Sequence, residues 1–206
     1  MNLIPNTIVQ IFLKMKLTSS ITEHPIFQTN RLLWRQYAEQ KGFRYIFLTK
    51  DNIAEYLGDH KDFYYSMRFT WNRIDFIRYL VLNKIGGFYI DLDIEPNFDR
   101  DLFQLSKEPL ILNKWFCPKK QAYELNNALM ACRPGFFTDL IKFSISQYNE
   151  KKNIEVYAIR KIRFMLHTTG VRMFKKWCKV NGYTYTPEIH EYVTDGCTAT
   201  WLKNFN

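Results

Sequence analysis

A chain of 206 residues fits a single domain, and with 47% hydrophobic and 17% aromatic residues it is too apolar for an intrinsically disordered segment. Its 29 Lys and Arg against 20 Asp and Glu give a net charge of +9, which directs attention to phosphate-bearing ligands, polyanions or an anionic membrane surface. No stretch approaches the roughly 18 consecutive apolar residues of a membrane span.

Pro5 and the polar pair Asn6-Thr7 break the apolar core that a secretory leader needs, so a cytoplasmic location is expected, with peripheral membrane contact left open. Thr7 to Leu13 is then a β-branched run opened by proline, the pattern of a buried first strand. Residues 31–42 (RLLWRQYAEQKG) carry apolar side chains near helical spacing and stop on Gly42. Residues 43–48 (FRYIFL) read as a second strand, and strand, helix, strand in this order suggests a parallel βαβ unit. Residues 71–84 (WNRIDFIRYLVLNK) form the clearest helix, with Ile74, Ile77, Leu80 and Val81 on one stripe. Gly86-Gly87 ends it, a strand from Phe88 to Ile94 follows, and Pro96 closes that strand. Helices are expected over 124–132, 135–148, 155–166 and 171–180, a strand over 183–193, and a loop and tail from Thr194. The alternation points to one α/β domain over residues 1–206. A basic segment runs from Lys151-Lys152 through Arg160, Lys161, Arg163 and Arg172 to Lys175-Lys176, and an ordinary solvated helical face would look the same. Cys117, Cys132, Cys178 and Cys197 lack metal-ligand spacing and read as buried thiols.

On a strand, residues two apart share a face, so Asp91 and Asp93 are expected to project side by side toward one ion. Hard cations such as Mg²⁺ and Mn²⁺ prefer carboxylate oxygens and leave positions for substrate phosphates. Ligands of open α/β sheets bind at the carboxyl ends of strands, where this pair falls. Gly87, with Gly86, would let the backbone pass close to a nucleotide. On the preceding helix Asp75, Arg78 and Tyr79 stand at i, i+3 and i+4 and share a face; an acid beside an Arg fork suits sugar hydroxyls and phosphate oxygens.

Three segments together, 4–12 (IPNTIVQIF), 75–82 (DFIRYLVL) and 86–93 (GGFYIDLD), resemble the successive motifs of the DXD sugar-binding glycosyltransferases. The close match covers about residues 70–96. The resemblance implies a GT-A fold, Rossmann-like with a mostly parallel sheet flanked by helices. It also implies Mn²⁺ or Mg²⁺ as cofactor, a UDP- or GDP-sugar donor, a glycan or protein acceptor, and transfer with retention at the anomeric carbon. Carried over by position, Asp75 and Arg78 contact ribose and donor sugar, Asp91 lies toward the sugar and ribose, and Asp93 takes the metal. Phe12 stands where the family usually has a base-stacking Trp, and Gln10, Tyr79 and Gly87 join the donor-binding set. Asn127 falls in a segment resembling the family's mid-domain Asn-Ala stretch and faces the donor sugar. Thr200-Trp201 resembles the pair that closes over the diphosphate, with Asp195 favoured over His190 as a further metal ligand. Rival readings are an inactive sugar-binding relative, a nucleotidyl- or phosphotransferase lacking its usual glycine-rich loop, and a basic nucleic-acid-binding module, for which a paired-aspartate strand has no use.

Overall fold

The computed structural model describes residues 4–13, 24–117, 121–153 and 158–195. Its strands are β1 (Thr7–Ile11), β2 (Arg44–Leu48), β3 (Gly87–Ile90), β4 (Ile94–Pro96), β5 (Leu110–Cys117), β6 (Ala122–Cys132) and β7 (Val193–Asp195). The helices are α1 (Pro25–Lys41), α2 (Ala54–Leu57), α3 (Lys61–Ser66), α4 (Thr70–Ile85), α5 (Thr138–Lys151), α6 (Ala158–Thr168) and α7 (Val171–Val180). The main sheet has the order β2-β1-β3-β6-β5, and β4 pairs with β7 in a small second sheet. β1 lies parallel to both β2 and β3, while β6 is antiparallel to β3 and to β5. Only β6 therefore runs against the other strands, which makes the sheet mostly parallel in direction as expected.

Both faces of the sheet are covered, which is why its strands read as continuous apolar runs rather than as alternation. Val9, Tyr89 and Met130 point into one core, with residues of α4, α5, α6 and α7. Their neighbours Ile8, Phe88, Leu129 and Ala131 point into the other, with Trp34, Tyr37 and Ala38 of α1 and with Leu102, Leu105 and Ile189. α4 is buried nearly all round, Phe76, Ile77, Tyr79, Val81 and Leu82 being inaccessible.

The expected helix at 124–132 is strand β6. Its Leu, Met and Ala residues favour helix on propensity, but Ala128 to Cys132 is buried between two neighbouring strands, and a run buried on both faces carries no period by which to tell helix from strand. β5 lies where the sequence pattern predicts no element. The expected strand at 183–193 is mostly irregular chain and a 3₁₀ turn at Pro187–Glu191, with only Val193–Asp195 extended. Pro187 opens that turn, and Tyr183, strand-like by type, packs on Trp177 with ring centroids 5.2 Å apart.

The glycine pair turns out to serve packing at the amino end of β3, far along the strand from Asp91. Gly87 has φ +99°, and a Cβ there would sit 2.5 Å from the Thr7 carbonyl oxygen. The close passage expected of it is to strand β1, not to a ligand. Gly87→Ala is expected to destabilise the protein by roughly 3 kcal/mol, from a strained backbone plus overpacking, seen as a lower urea midpoint.

Candidate active site

β3 ends at Ile90, so Asp91, Leu92 and Asp93 form a turn beyond it, not part of the strand. The turn is closed by Ile94 N–H donating to the Asp91 carbonyl (3.2 Å), and Asp91 N–H donates to Ala128 O (2.7 Å). The carboxylates are thus brought to the carboxyl edge of the sheet by turn geometry rather than by the pleat. From below, α1 fixes the turn through two polar groups that no motif marks in the sequence. Asn30 Nδ2 donates to Leu92 O (3.0 Å) and Trp34 Nε1 to Ile94 O (2.7 Å), both buried. Their i,i+4 spacing on an amphipathic helix was the available signal, though a buried Trp and Asn do not announce which backbone they hold.

Arg78 organises the site from α4. It is 6% exposed, with Nη2 at 3.3 Å from Asp75 Oδ1 and 3.5 Å from Asp91 Oδ1. Nη1 donates to Asn127 O (2.8 Å), and the guanidinium lies 4.6 Å from the Tyr89 ring centroid. Every side of the fork is taken up, so the cation is fixed in place. Asp75 in turn accepts from Asn127 Nδ2 (3.2 Å) and from the Thr169 hydroxyl (3.4 Å). Asn127 reaches this position because the β5–β6 register jumps from Leu112↔Met130 to Asn113↔Asn126, leaving 127–129 without a β5 partner. Such a bulge re-aims side chains near a site.

Burial raises the pKa of Asp75 against the opposing pull of Arg78, Asn127 and Thr169. Burial likewise raises Asp91, to about 7, with Arg78 opposing and the Asp93 charge adding to the rise; the Tyr89 hydroxyl donates to Asp91. Burial alone would lower Arg78, but Asp91, Tyr89 and Asp75 outweigh it and raise its pKa. Asp75, Asp91 and Asp93 bring hard oxygen donors together beside Arg78, and donors of that kind fit a divalent cation. Among the described residues no group of three His, Cys, Asp or Glu could hold a metal ion. At the backbone level Asp195 is in register with Ile94, the residue after Asp93.

The site opens into a cleft of about 370 Å³ whose lining includes Phe12, Phe27, Asp75, Arg78, Asp91, Asp93 and Asn127, a volume in the range of small-ligand pockets. Of the other residues singled out in the sequence, Tyr79 lies beneath the cleft, donating to Thr169 O (2.8 Å) and accepting from Asn127 (3.1 Å). Gln10 is fully buried in β1 and accepts from the Tyr45 hydroxyl (2.7 Å). His190 is exposed, its ring 2.9 Å from Pro187 O. Thr200, Trp201 and the Asp195 side chain lie outside the described residues.

Residues 26–104 match the family model described as the glycosyltransferase sugar-binding region containing the DXD motif. That span is similar to this sugar-binding region and covers less than half of the chain. The matched span takes in most of α1, α4, β3 and the Asp91–Asp93 turn, which carry or brace Asp75, Arg78, Asp91 and Asp93, and leaves out Phe12, Asn127 and Thr169. Over 94 residues, 40% of the chain, it is 29% identical to inositol phosphoceramide mannosyltransferase 1 of Schizosaccharomyces pombe, and the match spans 30% of that relative's length. The solved PaToxG glycosyltransferase superposes on 98% of the chain and 76% of its own length, with a TM-score of 0.53 and 12% identity. The chain thus has the GT-A type of fold expected of it, and the resemblance drawn from the motifs agrees with the match over residues 26–104.

Proposed function

We propose that the chain transfers a sugar, with retention, from a UDP- or GDP-sugar to a hydroxyl acceptor such as a glycan or protein, and depends on Mn²⁺ or Mg²⁺ held by Asp93 and Asp91. The observation that carries this reading is the buried Arg78 shared by Asp75 and Asp91 at the carboxyl edge of β3, facing the cleft. Asp93 directly, Asp91 beside it, and Asp195 from β7 would hold the cation. When bound, it supplies neutralisation of the charge that develops on the leaving diphosphate.

The rest follows from the chain's own groups. Phe12 lines the cleft, and a nucleobase can stack on its ring. Asp75 and Asp91 accept from ribose or sugar hydroxyls, and Asn127 presents its amide beside them. Arg78 holds both carboxylates still, so no reorganisation is needed as charge moves, and preorganised charge of this kind is the main catalytic resource of such a site. The bond from the anomeric carbon to the diphosphate oxygen breaks while the bond to the acceptor oxygen forms on the same face. The acceptor proton passes to a diphosphate oxygen, and no protein nucleophile is required.

The test is a panel of UDP- and GDP-sugars incubated with the protein and Mn²⁺, scored by release of the nucleotide diphosphate. One donor class is expected to be turned over and chelator to stop it. A panel without any metal-dependent release would overturn the reading.

A further inference from the structure

Apart from Lys175, which lines the cleft, the basic run from Lys151 to Lys176 stands outside the donor site, yet it has a definite arrangement. α6 lines the cleft with Ile162 and Leu166, and α7 lines it with Val171 and Lys175. Both pairs are spaced i,i+4. One residue further along, about 100° round each helix, stands a second i,i+4 pair, Arg163 with His167 and Arg172 with Lys176. Arg163, Arg172 and Lys176 are exposed. Arg172 Nη1 lies 3.0 Å from His167 Nε2 and joins the two stripes across the helix junction. Partial burial and then Arg172, Arg163, Lys151 and Lys176 lower the pKa of His167, so these four cations act in one field. Glu150 borders them, 3.7 Å from Lys151. The α7 stripe runs on to Val180, which is 76% exposed.

We propose that this ridge seats the protein on an anionic lipid surface, bringing the α6–α7 side of the cleft, with Ile162, Leu166 and Val171, against the bilayer. Clustered like charges repel one another and are relieved by an opposing surface, and cations beside an anionic leaflet gain from its potential. What favours lipid over nucleic acid or an acidic peptide is the company the cations keep. Ile162, Leu166 and Val171 border them on one side and Val180 lies at their end. A polyanion would engage the charges and leave that apolar rim unmatched, whereas an amphiphilic surface engages both. None of this depends on the donor chemistry proposed above.

The experiment is flotation of the whole chain with vesicles of phosphatidylcholine alone and of phosphatidylcholine with about one-third phosphatidylserine. Binding is expected to the anionic vesicles only, and to fade as salt is added. Arg163→Gln with Arg172→Gln and Lys176→Gln should weaken it by about 100-fold, since each cation near such a surface contributes roughly fivefold. Thermal melting shows whether this variant is folded; if it is not, the three single exchanges are read instead, each expected to weaken binding about fivefold. Equal binding to neutral vesicles, no binding to anionic ones, or full binding by the folded variants would overturn the proposal. So would displacement from the vesicles by single-stranded RNA or polyglutamate at lower concentration than the lipid.

Discussion

Asp93→Asn is expected to lower metal-dependent nucleotide diphosphate release by about 10²–10³-fold, the scale on which one preorganised charge contact matters in a transition state. The exchange keeps the size and hydrogen-bonding span of the side chain while weakening it as a cation ligand. The fold should survive, and for a stated reason. The Asp93 charge is one of the causes that raise the pKa of Asp91, so its removal relieves repulsion in the metal-free protein. Melting in chelator should therefore be unchanged or slightly higher. Added Mn²⁺, by contrast, should raise the melting temperature of the wild type, because a ligand that binds only the folded state stabilises it, and should do so much less in the variant. Loss of turnover together with loss of the metal-free melting transition would mean unfolding rather than a ligand removed. Unchanged turnover in a folded Asp93→Asn protein would remove Asp93 from the metal site.

The parts of the site legible in the sequence are those whose chemistry is local. Asp75 and Arg78 are one helical turn apart on α4, and any reading of that helix places them together. The aspartate pair is recognisable from its neighbours, but its geometry is not: the chain leaves the sheet at Asp91, and a strand pattern that includes Leu92 and Ile94 conceals the turn between them. The contacts that fix these groups come from far along the chain and left little trace. Asn30 and Trp34 reach the turn across about 60 residues of separation. Asn127 was singled out by the motif resemblance alone, and its own segment read as helix; what aims it is a register jump between β5 and β6 that no residue type signals. Gly87 shows the reverse, a correct expectation of close backbone approach assigned to the wrong partner. The strand order was legible only in part, because β5 and β6 supply two of the five strands and neither was read as one.

Arg78→Met should be the most destabilising of the exchanges in the site, by about 3–5 kcal/mol, because breaking a buried ion pair from one side leaves the other charge uncompensated. Here it leaves Asp75, Asp91 and the Asn127 carbonyl all without the fork. Arg78→Lys tests the geometry: it restores charge but offers one ammonium where the guanidinium serves two carboxylates and a carbonyl in fixed directions. It should recover part of the stability and little of the turnover. The pH dependence in chelator has a definite sign. Asp91 is raised in the folded protein to about 7, so its contribution to stability is fully present below the unfolded carboxylate pKa near 4 and is lost as pH rises through about 7. Removing Arg78 removes the group that opposes this rise. The deficit of Arg78→Met relative to wild type should therefore be smaller at pH 5, where Asp91 is protonated in both proteins, than at pH 8, where Arg78 offsets the charge of Asp91 in the wild type and nothing does so in the variant. Urea unfolding at the two pH values measures it, and a deficit that does not grow with pH would mean that Arg78 holds the site by packing on Tyr89 rather than by charge.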